Sequence, residues 1–152
     1  MSQIDKNNIP KHIAITMDGN GRWAKEKGKI RVFGHQNGVE AVRETVKAAA
    51  EIGIKFLTLY AFSTENWRRP KNEINSLMSL LVSAINKETK TLIENNISLS
   101  TIGNTESLPE KAKKELNKAI NQTKGNNKMN LILALSYSGK WDIINATKKI
   151  IY

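Results

Sequence analysis

Apolar residues along the chain alternate between two spacings. His12 to Met17 is a short apolar run that stops at Asp-Gly-Asn-Gly, a loop signal. From His35 to Ile52, Val39, Val42, Val46 and Ala49 recur at helical spacing, and Gly53 closes the segment. Phe56 to Phe62 has the aromatic and apolar content of a buried strand, and Ser63 to Lys71 is a polar loop. Asn72 to Asn95 predicts a long helix with Ile74, Leu77, Met78, Leu81, Ile85 and Leu92 on one stripe. Ser98 to Gly103 reads as a strand, and Pro109 to Thr123 as a helix with proline in its first turn. Met129 to Leu135 reads as a further strand, and another helix begins at Trp141 and runs to Tyr152. This β-α-β-α-β-α-β-α order predicts an α/β fold, a parallel sheet with helices on both faces. Such sheets bind ligands beyond the carboxyl ends of their strands. Chemistry is therefore expected in Asp18–Arg22, Ser63–Arg69, Gly103–Thr105 and Ser136–Lys140.

Length and composition narrow this picture. The 152 residues suit a single domain spanning 1–152, long enough to bury a core without staples. There is no cysteine, which excludes disulfides, thiolate metal sites and a cysteine nucleophile. No run approaches the length of a membrane span, and Met1 to Lys11 lacks an apolar signal core, so a cytoplasmic protein is expected. The net charge of +10 admits three readings: nucleic-acid binding, an anionic small molecule or membrane surface, or plain solubility. The charge is spread over both halves. Its one tight cluster is Arg22, Lys25, Lys27, Lys29 and Arg31, interrupted by Glu26, which is weak support for nucleic acid.

The two polar loops carry the candidate chemistry. In Asp18-Gly19-Asn20-Gly21-Arg22-Trp23 the glycines let backbone N–H groups close around an anion, and a short helix after them would add its positive end. Arg22 supplies a fork for phosphate. Asp18, at a strand end, suits a Mg²⁺ ion that takes its other ligands from water and substrate phosphates. The bland alternative is a tight turn with Asp18 as a cap. In Ser63-Thr64-Glu65-Asn66-Trp67-Arg68-Arg69 the alternative is a capping box, with Ser63 or Thr64 ahead of an acid. It leaves Trp67 beside Arg69 unexplained. His35 by itself reads as a helix cap, and with only His12 and His35 no histidine metal cluster is available. The segment Leu77–Ile85 is apolar on more than one face, which fits either core packing or a channel for a greasy ligand.

Two enzyme classes fail on spacing. A haloacid-dehalogenase-type phosphatase needs an aspartate where this chain has Thr16. Trans-type prenyl synthases need an Asp-Asp-x-x-Asp cluster, and the aspartates here are Asp5, Asp18 and Asp142.

The string from His12 to Ala24, then Gly34-His35, Leu59 to Trp67, Arg69-Pro70, Ile102-Gly-Asn104 and Tyr137 to Asp142, resembles the cis-prenyltransferase family, especially its bacterial members. The resemblance runs from about Ile9 to the last residue. It implies an enzyme that condenses an allylic diphosphate, such as farnesyl diphosphate, with successive isopentenyl diphosphates. The product is a long polyprenyl diphosphate of the undecaprenyl carrier-lipid type. It also implies Mg²⁺, a homodimer, membrane contact only through the lipid product, and no nucleic acid. Carried onto this chain, Asp18 would be the catalytic metal ligand, and Gly19, Asn20, Gly21 and Arg22 would cradle the allylic diphosphate. Arg31, His35 and Arg69 would close around it, with Trp23, Ser63, Thr64, Glu65 and Trp67 at substrate-contact positions. Asn66 matches the residue assigned as proton acceptor. A neutral amide is a very weak base, so positioning suits it better. Glu73 falls near a loop that moves in the family. Ile54, Ala61, Leu77, Leu81, Ile97 and Met129 match a tunnel for the growing chain.

Family members continue through an Arg-x-x-Gly-Glu-x-Arg-x-Ser segment that binds isopentenyl diphosphate, and nothing in residues 1–152 matches it. The expectation is a truncated chain whose C-terminal strands are missing. Two alternatives stand beside it: a non-catalytic subunit of the same fold, and, remotely, a basic nucleic-acid-binding module.

Overall fold

The computed structural model describes residue 5 and residues 7–151; the very start of the chain and Tyr152, where the last predicted helix ends, lie outside the described residues. Four strands, β1 His12–Thr16, β2 Phe56–Ser63, β3 Ile97–Ile102 and β4 Met129–Tyr137, alternate with helices. The helices are α1 Asn20–Glu26, α2 Arg31–Ile52, α3 Lys71–Glu94, α4 Glu110–Thr123 and α5 Gly139–Ile151. All strand pairs are parallel, in the order β1-β2-β4-β3. The register sets Ile13 beside Leu57, Leu57 beside Leu131 and Leu131 beside Leu99, so one face is a continuous aliphatic floor.

That floor joins Val46 and Ala49 of α2 and Ile74, Met78, Val82 and Ile85 of α3 in one core. Each of these valine, isoleucine and methionine side chains, fully buried, contributes about 1.5–3 kcal/mol. The two faces are covered unequally. His12, Ala14 and Thr16 of β1 and Phe56 and Tyr60 of β2, one residue out of phase with the floor, are exposed. Edge strand β3 is shielded by α4, because the Leu99 N–H donates to the buried Thr123 hydroxyl at 3.0 Å. A side-chain bond of this kind blunts an edge that would otherwise pair with another chain.

One local reading gains its bounds and two change. The short helix expected after the glycines is α1, and its bounds are Asn20–Glu26, which no apolar stripe announces. Helix α2 begins at Arg31, with Ile30 before it and no side-chain cap, so His35 lies inside the helix and caps nothing. Gly34 obscured this start by being a poor helix former. The position demands glycine, since a Cβ there would sit 2.0 Å from the Asn20 carbonyl oxygen, where α1 crosses α2. The capping box exists, but its partners are Ser63 and Asn66, not Glu65. It starts a single 3-10 turn, Thr64–Arg68, which places the amide three residues on opposite the Ser63 N–H.

Candidate active site

The four loops after the strands do converge. Thr64 donates to the Ser138 hydroxyl at 2.9 Å, the Trp67 indole N–H to Ser136 at 2.9 Å, and Ser107 to the same Ser136 hydroxyl at 2.9 Å. Trp67 also packs edge-on against Phe62, with ring centroids 4.9 Å apart. It is therefore a pin that holds the second loop on the sheet. A break in the β2–β4 register between Tyr60 and Ser63 lies just ahead of this loop, a usual place for an irregularity that re-aims side chains.

In the first loop Gly19 takes φ 93°, a conformation that favours glycine, and turns the chain from β1 into α1. Its N–H donates to Asp18 Oδ1 at 2.6 Å, and Arg22 Nη2 donates to Asp18 Oδ2 at 3.0 Å. These contacts, led by the Arg22 hydrogen bond, hold the Asp18 carboxyl below the usual carboxylate range. The Asp18 side chain is 69% exposed and ionised at neutral pH. The N–H groups of the first turn of α1 have no intrahelical partner. Gly21 lets the Arg31 guanidinium lie against the backbone: a Cβ there would be 2.9 Å from Arg31 Cζ. Trp23 is exposed and stacks on Phe33.

Across from this loop Arg31, His35 and Arg69 come together as the resemblance implies, around a counter-ion, Glu73, whose role the sequence did not foretell. Glu73, in the first turn of α3, shares one oxygen between two arginines: Oε1 is 2.9 Å from Arg69 Nη1 and 3.4 Å from Arg31 Nε. The Arg31 contact is an ion pair too poorly aligned to be a hydrogen bond. Among the described residues, Arg31 Nε and His35 Nε2 are buried polar atoms with no hydrogen-bond partner. Burial first, then the positive charge of Arg69 and Arg31, lowers the His35 pKa, so the imidazole is neutral; Glu73 opposes this only in part. Two guanidiniums against one carboxylate leave net positive charge, and the unmade hydrogen bond of the buried Arg31 N–H is one that an anion can complete. In the second loop Asn66 Oδ1 accepts the Ser63 N–H at 3.2 Å, so its NH₂ remains to meet a ligand. The Glu65 carboxyl is held low by its own N–H and then by the Ser63 and Thr64 hydroxyls.

Below this mouth opens a cavity of about 410 Å³. Asp18, Asn20, His35, Ser63, Asn66 and Arg69 ring its polar end, and aliphatic side chains of α2, α3 and the sheet line the rest. Of the six tunnel positions, Ala61, Leu77, Leu81 and Ile97 line it. Ile54 and Met129 do not line it and belong to the solid core. Both lie at the bottom of the sheet, Met129 opening β4 and Ile54 preceding β2, where layers close rather than part. Val39, Val42 and Val46 line the cavity from α2, although their helical spacing reads only as a core stripe. Of the remaining predicted contacts, Gly19, Gly21, Arg22, Trp23, Arg31, Thr64, Glu65 and Trp67 do not line the cavity.

A resident metal can be tested against this donor set. Among the described residues no three His, Cys, Asp or Glu side chains come together to hold an ion. A single ionised, accessible carboxylate fits Mg²⁺ only if the ion arrives with phosphate oxygens and waters, as Mg²⁺ commonly does. Among the same residues no helix is long and apolar enough to cross a membrane.

Known proteins share both the sequence and the shape. The chain is 51% identical over 150 residues to ditrans,polycis-undecaprenyl-diphosphate synthase ((2E,6E)-farnesyl-diphosphate specific) of Pasteurella multocida, spanning 99% of this chain and 62% of that protein. It is 56% identical over 146 residues to the isoprenyl transferase of Clostridium tetani, spanning 96% of this chain and 57% of that one. The crystal structure of lavandulyl diphosphate synthase from Lavandula x intermedia, in complex with dimethylallyl diphosphate, superposes with a TM-score of 0.90 at 35% identity. That match covers 93% of this chain and 61% of the other. A probable undecaprenyl diphosphate synthase from Campylobacter jejuni gives 0.77 at 32% identity, over 95% and 62%. The chain thus spans about three fifths of the relatives it matches. With residues 16–152 also matching the family model described as "Putative undecaprenyl diphosphate synthase", the chain belongs to the undecaprenyl diphosphate synthase family of prenyltransferases.

Proposed function

We propose that this chain is the allylic-substrate half of a cis-prenyl chain-elongating transferase. It holds farnesyl diphosphate or a similar starter while isopentenyl units are added, giving a long polyprenyl diphosphate. One observation carries the reading: a mouth rich in arginine, with a buried Arg31 N–H left without a partner, sits directly over an aliphatic cavity. The pairing matches an amphiphile whose head is a diphosphate and whose tail is a hydrocarbon. The names of the relatives support it and weigh against a non-catalytic subunit or a nucleic-acid binder.

The chain's residues divide the work. Arg31 and Arg69, released from Glu73, clamp the diphosphate oxygens, and the N–H groups of the Gly19–Arg22 turn add neutral donors. When the allylic C–O bond breaks, its electron pair leaves with the diphosphate, and these positive groups stabilise the charge that develops there. The isopentenyl double bond then attacks the allylic carbon, and a proton leaves the adjacent carbon. Asn66 orients the reacting groups through its NH₂, and the departing diphosphate or water takes the proton. The aliphatic wall excludes water from the cation. Mg²⁺ held by Asp18 would supply further charge neutralisation to the leaving group. Each added isoprene unit gains about 0.8 kcal/mol per buried CH₂, which draws the chain inward. The working enzyme is a cytoplasmic homodimer that meets the membrane through its lipid product.

Tryptophan fluorescence titration tests the reading. Farnesyl diphosphate is expected to bind at least about tenfold more tightly than either inorganic pyrophosphate or farnesol. Equal affinity for pyrophosphate and farnesyl diphosphate would separate head from tail and overturn it.

A further inference from the structure

We propose that the Arg43–Glu88 ion pair is a side gate of the cavity, through which the far end of a long prenyl chain passes between α2 and α3. This rests on the diphosphate-lipid reading and adds where the lipid goes once it outgrows the space inside.

The pair is an odd wall for a hydrocarbon. Arg43 Nε meets Glu88 Oε2 at 3.0 Å and Arg43 Nη2 meets Glu88 Oε1 at 2.5 Å, a two-point contact, while Arg43 Nη1 reaches Glu40. Both side chains of the pair are 21% exposed, and both line the cavity. Among the described residues, two ionic links join α2 to α3: Arg31–Glu73 at the mouth and Arg43–Glu88 farther down. Arg43 lies twelve positions after Arg31 on α2, about 18 Å at 1.5 Å per residue. Between these links the lining from both helices, past His35 and Gly38 near the mouth, is apolar and includes Val39, Val42, Leu77 and Leu81. Beside and beyond Arg43–Glu88 the lining includes the polar residues Lys47, Thr91 and Asn95.

Size forces the question. At about 410 Å³ the cavity lies near the small end of ligand pockets, which run roughly 300–1,000 Å³. A polyprenyl chain of many isoprene units does not fit without a wall yielding. Parting the sheet floor would expose Phe62, Leu99 and Leu131, all buried, and would cost about 25 cal/mol for each Å² of apolar surface wetted. Parting the helices at Arg43–Glu88 exposes charges instead. Water solvates those charges well, and regained hydration offsets much of the lost attraction. An apolar pair of similar volume would hold the seam at least as firmly. The ion pair is thus the form of closure that opens most readily to solvent.

The absence of native cysteine makes the test clean. In Arg43→Cys/Glu88→Cys, the two thiols are bridged by a bifunctional maleimide with a reducible spacer. Binding of farnesyl diphosphate and of undecaprenyl diphosphate is then measured before bridging, after it, and after reduction. Bridging is expected to leave farnesyl diphosphate affinity within about twofold and to weaken the long ligand by about tenfold or more, with recovery on reduction. Arg43→Met/Glu88→Leu, which keeps the seam packed without charges, is a second route and is expected to weaken only the long ligand. Undecaprenyl diphosphate binding equally well to bridged and unbridged protein would overturn the gate, as would unchanged long-chain affinity in a folded Arg43→Met/Glu88→Leu. Failure of farnesyl diphosphate to bind the unbridged protein is a different result. It rejects the diphosphate reading, and the gate falls with it.

Discussion

The mouth and the floor of the cavity share β2 and β4, yet they obey opposite rules. On the floor, Leu57, Leu59 and Leu135 are at most 2% exposed and pack into one continuous core. At the mouth, Gly19 holds φ 93°, Gly34 is pressed onto the Asn20 carbonyl, and two guanidiniums compete for one carboxylate. Two buried nitrogens there lack any hydrogen bond. The floor has satisfied its chemistry within the chain, whereas the mouth has bonding capacity left that a ligand can use. Stability and binding should therefore separate on mutation: the floor sets the first and the mouth the second.

The sharpest separation is expected at Asp18. Asp18→Ala should lower turnover of the assembled enzyme by about a hundredfold or more, equivalent to about 2.7 kcal/mol of barrier. Thermal unfolding should barely move, because solvent screens an exposed pair with Arg22. Retention of more than about a tenth of the turnover would remove Asp18 from the chemistry. The floor should show the reverse. Ile54→Ala, in a fully buried site, is expected to cost about 2–5 kcal/mol in urea unfolding with farnesyl diphosphate affinity intact. Leu81→Ala, on the cavity wall, should cost less stability and lengthen the product, while Ala61→Leu should shorten it. A length change from Ile54→Ala but not from Leu81→Ala would exchange their roles.

The same contrast explains what the sequence made legible. Periodicity reports burial, so the order of strands and helices, the four loops and the aliphatic stripe of α3 were all readable. Motif resemblance placed Asp18, Asn66, Arg31 and Arg69 around one mouth. Neither signal marks a shared counter-ion: Glu73 looks like any first-turn acid until Arg31, 42 positions away in the chain, lies beside it. Nor does either distinguish a cavity wall from a solid core. Val46 lines the space while Ile54 does not, although both are buried aliphatics.

Removing charge at the mouth should have intermediate effects of opposite sign. Arg69→Ala or Arg31→Ala is expected to weaken pyrophosphate and farnesyl diphosphate alike by about tenfold to a hundredfold, at roughly 1.5–3 kcal/mol per charged contact. Glu73→Gln should strengthen pyrophosphate binding by a few fold, because the carboxylate that competes for both guanidiniums is gone. Calorimetry with inorganic pyrophosphate reads both. Weaker binding in Glu73→Gln would mean that Glu73 orients the arginines instead of occupying them.

The smallest effect is the most diagnostic, because it depends on a proton. His35 is neutral in the folded chain, its pKa below the ordinary 6.5 through burial and then through Arg69 and Arg31. As pH falls through 6.5 the unfolded chain takes up a proton that the folded one refuses, so the unfolded state binds more protons. The associated stability is fully present above that pH and is lost as pH falls through the lower folded value. The urea midpoint should therefore drop further between about pH 7.5 and pH 5.5 in the wild type than in His35→Gln. A bound diphosphate cancels the positive field of the two arginines and raises the His35 pKa towards its ordinary value, so binding near pH 6 should take up protons. Calorimetry in buffers of different ionisation enthalpy measures that uptake, and subtracting the His35→Gln value removes the protons exchanged by the ligand itself. Equal uptake in the two proteins would show that the anion does not sit against His35. The orphaned Nε2 would then be a feature of packing, and the mouth would differ from the floor in composition but not in what it can bind.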